Sequence, residues 1–217
     1  MPSLLRIDAS PRGARSLSRG LADTFCNHLL TEHSGLEIIA RDLRQAPPPF
    51  VSEAWVAAAF KPAEEHTEGD REALRYSDAA IAELEEAQVV VISTPLYNYG
   101  MPSILKAWVD QVVRVRKTFT FDLARGDFPI EPVLSGKHLV VLASAGEFGF
   151  EQGGLRGQHD HLRPHLATVA RYLGADEVSS ILIEYQEFGD ARHAASKDQA
   201  HRDAAALAGR IAETLAV

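Results

Sequence analysis

Three serine residues follow the first apolar run of the chain, where their hydroxyl groups could bind an anion. Ser10 begins the stretch SPRGARSLS, and Ser16 and Ser18 close it where a helical pattern starts. The first amides of a helix have no partner within the helix, and the peptide dipoles give that end a partial positive charge. Hydroxyl groups beside such a helix start are typical of a phosphate site. The alternative is that these serines only cap the helix.

The absence of several known motifs narrows the class of phosphate-containing ligand. No GxGxxG follows the first apolar run, which disfavours a dinucleotide, and no GxxxxGK[ST] is present, which disfavours a nucleotide hydrolase. The loop also has no cysteine at its start, so a phosphatase that attacks through a thiolate lacks its nucleophile. These absences favour a ligand with a single phosphate group.

Two further stretches have the composition of a ligand-binding loop. STPLYNYGMPSILKAWVDQV, residues 93–112, places Pro, Tyr, Asn and Gly between an apolar run and a helical pattern, and Asn98 could meet the edge of a flat ring. SAGEFGFEQGG, residues 144–154, is rich in glycine and aromatic residues and also follows an apolar run. Loops that follow parallel strands meet at one edge of the sheet, so we expect all three stretches to surround one pocket.

The elements that must position these loops are read from the apolar pattern. Five short, nearly continuous apolar runs, typical of strands buried on both faces, occupy residues 4–7, 36–40, 89–92, 139–143 and 178–183. Segments with helical spacing separate them, including one that we assign to Leu17, Leu21, Phe25, His28 and Leu29. Alternation of this kind predicts an α/β fold, a doubly wound five-stranded parallel sheet with helices on both faces. We expect residues 1–217 to form a single domain.

Composition restricts the partners and the compartment. A formal net charge of -8 gives no general attraction to nucleic acids or anionic lipids. The single cysteine, Cys26, cannot form an intramolecular disulfide, and neither a targeting segment nor a membrane-spanning apolar run is evident. We expect a cytoplasmic protein with no nucleic-acid partner and no membrane association.

Two connections, residues 44–69 and 116–136, are too long for plain turns and carry many aromatic residues. We expect each to pack on something as a lid or a subunit interface. Phe119 and Phe121 could stack on a substrate ring or belong to the core beneath a long loop. Trp55 and Phe60 are candidates for a contact in a homodimer.

The chain resembles the FMN-dependent NAD(P)H quinone oxidoreductase and azoreductase family, which has a flavodoxin-like fold. The similarity covers nearly the whole chain, and its most specific part is PLYNYGMPSILKAWVDQV, with the serine loop in support. The resemblance implies bound FMN, with NADH or NADPH as co-substrate and a quinone or azo compound as acceptor. Hydride would pass through flavin N5 in a ping-pong cycle, so no catalytic side chain is expected.

The resemblance also implies which residues hold the cofactor. Those expected at the phosphate are Ser10, Ser16, Leu17 and Ser18. Those expected at the flavin ring are Pro95, Leu96, Tyr97, Asn98, Tyr99, Ser144, Ala145, Gly146 and Glu147. The family commonly has Ser-Arg-Gly-Gly where this chain has Ser-Ala-Gly-Glu, so an arginine is lost and Glu147 brings a carboxylate that we expect to disfavour anionic substrates.

Two other functions compete with this interpretation. One is a flavodoxin-like electron carrier that binds FMN without turning over small molecules, although the long aromatic connections argue against it. The other is a monophosphate-binding or phosphoacceptor domain, but Thr94 stands where such a domain would need an aspartate. We expect no metal site, because His159, His161 and His165 have no accompanying cluster of carboxylate or cysteine ligands. We also expect Asp8 to form structural hydrogen bonds and Lys106 to lie on a solvated helix face or in a salt bridge.

Overall fold

A computed structural model describes residues 2–215, in which a five-stranded parallel sheet forms the centre of the molecule. Its strands are β1 (Ser3–Asp8), β2 (Glu37–Asp42), β3 (Val89–Pro95), β6 (Lys137–Ser144) and β7 (Ala175–Ile183). Their order across the sheet is β2-β1-β3-β6-β7, and each neighbouring pair is parallel. The predicted fold class and strand count of this sheet are therefore confirmed.

Six α-helices lie along the described chain. They are α1 (Leu17–Glu32), α2 (Glu53–Phe60), α3 (Glu68–Glu86), α4 (Ser103–Val112), α5 (Arg163–Ala170) and α6 (Ala191–Leu215). One apolar core joins the sheet to α3, α4 and α5, and a second core on the other face joins it to α1 and α6. The sheet is thus covered on both faces, which explains why the central strand β3 is buried along its whole length.

Two details of the sequence-based assignment were wrong. His28 is exposed, whereas Phe25 and Leu29 of the same helix are buried, because position 28 lies about 100° away from the apolar stripe on which Leu29 sits. Strand β7 begins at Ala175, three residues before the predicted apolar run. It is an edge strand with several exposed positions, so its early residues need not be apolar.

The first long connection packs against its own chain. It contains α2, which the apolar periodicity did not predict, and its Trp55 is only 8% exposed. The indole Nε1 of Trp55 donates to Oε1 of Gln111 at 2.9 Å, and Nε2 of Gln111 donates to the Pro49 carbonyl oxygen at 2.9 Å. Trp55 is therefore unavailable for the subunit contact expected of it, whereas Phe60 is 63% exposed.

The second long connection contains a small antiparallel hairpin that we did not predict, formed by β4 (Phe119–Phe121) and β5 (Ile130–Pro132). It follows α4 and precedes β6, and the Val133 amide donates to the Thr118 carbonyl oxygen at 3.0 Å, so the base of the hairpin lies near the start of β6. The ring of Phe119 packs edge to face on Tyr172, just before β7, with centroids 5.8 Å apart. Phe121 is exposed.

Candidate functional site

Three loops meet at the carboxyl edge of the sheet, because β1, β3 and β6 are consecutive neighbours. The amide of Ala9 donates to the Ser93 carbonyl oxygen at 2.9 Å, which joins the ends of β1 and β3. The amide of Leu96 donates to the Ser144 carbonyl oxygen at 2.8 Å, which joins the ends of β3 and β6. The three stretches expected to share a pocket therefore lie side by side.

The serine loop after β1 is built around buried hydroxyl groups. Ser10, Ser16 and Ser18 are all buried, and the Oγ atoms of Ser16 and Ser18 are 3.1 Å apart. Ser16 also caps α1, since its Oγ accepts a hydrogen bond from the amide of Arg19 at 3.3 Å. The capping alternative is thus correct for Ser16, but the cap uses only one of the amides at the helix start.

The start of α1 retains free donors within the described chain. The amides of Leu17 and Ser18 have no protein acceptor among residues 2–215. The side chains of Arg12 and Arg15 are exposed in the same loop and add positive charge. Gly13 has a φ of 57°, a left-handed conformation that lets the loop turn back toward the helix. Free amides, hydroxyl groups and arginines are the donor set that a phosphate requires.

Asp8 forms hydrogen bonds and ion pairs beneath this loop. Its Oδ1 accepts from Ser93 Oγ at 2.5 Å, and its Oδ2 lies 3.0 Å from both Arg6 Nε and Arg19 Nη1. A buried carboxylate with this many donors holds the ends of β1, β3 and α1 together. The structural role expected for Asp8 is confirmed.

The loop after β3 forms a tight reverse turn with unusual backbone geometry. The amide of Tyr97 donates to the carbonyl oxygen of Gly100 at 3.0 Å, and the Gly100 amide returns a bond of 2.9 Å. The two central residues, Asn98 and Tyr99, have φ values of 47° and 64°. This conformation is unfavourable for a tyrosine, and such strain is concentrated at functional sites. The amides of Asn98 and Tyr99 also find no protein acceptor in residues 2–215.

Glu147 joins this turn to the loop after β6. The Tyr99 hydroxyl donates to Oε2 of Glu147 at 2.9 Å, and Arg156 Nη2 lies 2.9 Å from Oε1. The hydrogen bond to Glu147, assisted by its negative charge, raises the pKa of Tyr99, so that the hydroxyl remains a donor. Arg156 thus places a guanidinium group beside the carboxylate that distinguishes this chain from the family pattern.

A cavity of about 320 Å³ opens between the two loops, and we refer to it as the edge cavity. Its lining residues are Leu96, Asn98, Tyr99, Ala145, Gly146, Glu147, Phe150 and Glu187. Six of these belong to the predicted ring-binding set. Pro95 and Ser144 are paired at the ends of β3 and β6, and Tyr97 lies in the reverse turn without lining the cavity.

Two residues of the edge cavity were missed by the sequence analysis. Phe150 lies in the stretch that was singled out after β6, and only its individual role was overlooked. Glu187 lies after β7, the edge strand next to β6. The sequence analysis did not consider the loop that follows this strand. The signal available was its position, since every loop after a parallel strand opens on this edge.

Other candidates lie elsewhere or take part in other contacts. Phe119 and Phe121 do not line the edge cavity, and Phe119 packs instead on Tyr172, just before the start of β7. Lys106 Nζ lies 2.5 Å from Asp110 Oδ1, so the predicted salt bridge is present. Within residues 2–215, no group of His, Cys, Asp and Glu side chains could hold a metal ion, and no helix is long and apolar enough to cross a membrane.

A larger groove of about 920 Å³ adjoins the edge cavity and shares Phe150 with it. It runs between α5, residues 152–160 and β7, away from the serine loop. The edge cavity is the better candidate, because it is lined by Asn98 and Tyr99, whose amides are unpaired within residues 2–215. The serine loop does not line it, so only two of the three stretches expected around one pocket do, and the third lies next to them along the carboxyl edge. Together, the donors of these stretches fit a flat ring held at the reverse turn and a single phosphate held at the start of α1.

Comparison with known proteins places this arrangement in a family. A family model described as "Flavodoxin-like fold" matches residues 2–208. FMN-dependent NADH:quinone oxidoreductase 2 of Colwellia psychrerythraea is 50% identical over 209 residues, covering 93% of this chain and 95% of that protein. The enzyme of the same name from Idiomarina loihiensis is 47% identical over 218 residues, covering 97% and 91%.

A solved structure shows the same fold. The FMN-dependent NADH-azoreductase from Bacillus anthracis in complex with FMN superimposes with a TM-score of 0.85, covering 98% of this chain and 100% of that chain. Its sequence identity is 19%, so this similarity concerns the fold alone.

Proposed function

We propose that this chain, which belongs to the flavodoxin-like family of FMN-dependent NADH:quinone oxidoreductases, reduces quinones or azo compounds with NADH or NADPH. It is an oxidoreductase. The observation that carries the proposal is the meeting of three loops at one edge of the sheet, two of which present pairs of unpaired amides, at Leu17 and Ser18 and at Asn98 and Tyr99. The protein would act in the cytoplasm, with no nucleic-acid or membrane partner.

The serine loop would hold the phosphate of FMN. Ser10, Ser16 and Ser18 would contribute hydroxyl groups and Leu17 and Ser18 their amides, at the positive end of the α1 dipole. Since the loop is already folded by its own hydrogen bonds, little conformational entropy would be lost on binding.

The loops after β3 and β6 would position the flavin ring. Bound FMN would supply the redox chemistry, with hydride entering and leaving at N5 in the two half-reactions of a ping-pong cycle. Residues 95–99 would support one side of the ring, with Asn98 at its edge, and residues 144–147 would meet the other side. Oriented amides in these loops would stabilise negative charge on the reduced ring. No side chain is required as nucleophile.

A homodimer would complete the site. Phe119 and Phe121 do not line the edge cavity of their own chain, so they would contact a substrate only from a second copy. Phe60 and Phe121 are both exposed. Arg116 connects their segments, because its Nη1 donates to the Phe60 carbonyl oxygen at 2.8 Å. The exposed apolar surface around them would be buried in the dimer.

The test is to purify the protein, record its flavin absorbance and measure steady-state NADH oxidation with benzoquinone. We expect bound or reconstitutable FMN, rapid turnover and parallel double-reciprocal plots, which are typical of a ping-pong cycle. A flavodoxin-like carrier would retain FMN but show negligible turnover. Protein that cannot be loaded with FMN would contradict both flavin functions.

A further inference from the structure

Glu187 is held at the edge cavity by the backbone that carries it. Its amide donates to the Gly146 carbonyl oxygen at 3.1 Å, and the amide of Tyr185 donates to the Glu147 carbonyl oxygen at 2.9 Å. The rings of Phe148 and Tyr185 stack with centroids 4.4 Å apart. The loop after β7 is thereby fastened to the loop after β6, so the position of Glu187 is set by the fold.

The Glu187 side chain lies directly over Gly146. A Cβ atom at position 146 would come within 2.7 Å of Glu187 Cγ and 2.8 Å of its Oε1. The glycine thus lets the carboxylate rest at this place, and a larger residue at position 146 would make the flexible Glu187 side chain move. Both residues line the edge cavity, so the carboxylate lies at the site where the proposed function places the flavin ring and its acceptor.

The two carboxylates of the edge cavity differ in whether a positively charged side chain compensates their charge. Glu147 is paired with Arg156 and accepts the Tyr99 hydroxyl hydrogen bond. Glu187 has no salt bridge and no side-chain hydrogen bond within residues 2–215, and Arg192 in the following helix is paired with Asp190 at 2.6 Å. The negative charge left uncompensated at the cavity is therefore that of Glu187.

We infer that Glu187 is a specificity-determining residue that disfavours acceptors carrying an anionic group and leaves neutral quinones unaffected. This inference rests on the proposed function. The sequence alone suggested that Glu147 would disfavour anionic substrates, but Arg156 compensates the charge of Glu147. Glu187 is exposed, so water and salt screen its charge, and we expect an effect of about threefold to tenfold on the binding of a singly charged anion.

The experiment uses FMN-loaded protein and a matched pair of ligands, naphthoquinone and naphthoquinone sulfonate. Their dissociation constants are measured from the change in flavin absorbance, without NADH, for the wild type, Glu187→Gln and Glu187→Lys. The matched control is Glu213→Gln, which removes an exposed carboxylate at the far end of α6. Titrations are repeated at about 0.5 M salt, where charges separated by more than about 4 Å are largely screened.

We expect Glu187→Gln to tighten sulfonate binding severalfold, Glu187→Lys to tighten it further, and neither to change naphthoquinone binding. Salt should remove these differences, and Glu213→Gln should match the wild type. Equal effects on both ligands, no effect, or an equal effect of Glu213→Gln would overturn the inference while the proposed function stands. A wild type that binds FMN but shows no quinone turnover would instead overturn the proposed function.

Discussion

The hydroxyl of Tyr99 donates a hydrogen bond to Glu147 across 2.9 Å, and this contact joins the loop after β3 to the loop after β6. Tyr99 also packs on Phe150 and His159, with ring centroids 6.4 Å and 5.6 Å away. A single side chain at a strained backbone position therefore connects three segments around the edge cavity.

Tyr99→Phe keeps the ring contacts and removes only the hydrogen bond to Glu147. We expect the dissociation constant of FMN to rise by about threefold to tenfold, the value of one ordinary hydrogen bond, because water at this exposed position screens the charge of the acceptor. The measurement is a fluorescence titration of apoprotein with FMN. Tyr172→Phe, at the opposite edge of the sheet, is the control, and an unchanged affinity in Tyr99→Phe would show that the contact does not shape the site.

Asn98 combines a left-handed backbone with a polar side chain, and two substitutions separate these features. Asn98→Ala should weaken FMN binding by on the order of 1 to 3 kcal/mol, or slow flavin reduction, because a directional contact at the ring edge is lost. Asn98→Gly loses the same side chain but adopts positive φ readily. If the glycine variant behaves like the wild type in FMN titrations and stopped-flow reduction, the backbone rather than the side chain carries the effect.

Ser18→Ala tests the placement of the phosphate. Its buried hydroxyl lies beside that of Ser16, and the capping bond to Arg19 belongs to Ser16, so α1 should keep its cap. We expect weaker binding of FMN by about tenfold, because hydrogen bonds to a charged phosphate are among the stronger ones. Riboflavin, which lacks the phosphate, is the control ligand. A parallel loss of riboflavin affinity would contradict the assignment.

The Cys26 thiol should be unreactive toward alkylating reagents in the native protein. Burial against the second core raises the pKa of its thiol from about 9 to about 11, so the thiolate fraction near neutral pH falls about a hundredfold. Alkylation with iodoacetamide should be negligible in buffer and rapid in guanidinium. Prompt modification of native protein would show that α1 opens readily.

The Cys26 thiol also predicts that the free energy of unfolding falls as the pH rises above about 9. The folded-state pKa lies above the unfolded one, so its contribution to the free energy of unfolding is complete below about pH 9 and is lost as the pH rises toward 11. Urea titrations between these values should show a falling midpoint in the wild type and a smaller fall in Cys26→Ala.

The parallel sheet could be predicted from sequence because its strands carry a signal that is local. Strands such as β3 are buried on both faces, so they form short continuous apolar runs between segments of helical spacing. The loops after β1, β3 and β6 follow from the same pattern, because parallel strands bring their following loops to one edge. The serine loop and the loop after β3 could therefore be located from the sequence, whereas the reverse turn within the second loop could not.

Contacts between distant segments were decided by the tertiary structure alone. Helix α2 was missed because its burial depends on Trp55 meeting Gln111, a residue 56 positions away. Glu187 lies over Gly146 because β7 pairs beside β6 and brings the loops after these two strands together. The pairing of Arg156 with Glu147 instead depends on how the loop after β6 folds back on itself. Sequence periodicity determined which face of each element is buried. The charge that an acceptor meets depends on which side chains the strand order brings together, and periodicity does not encode that order.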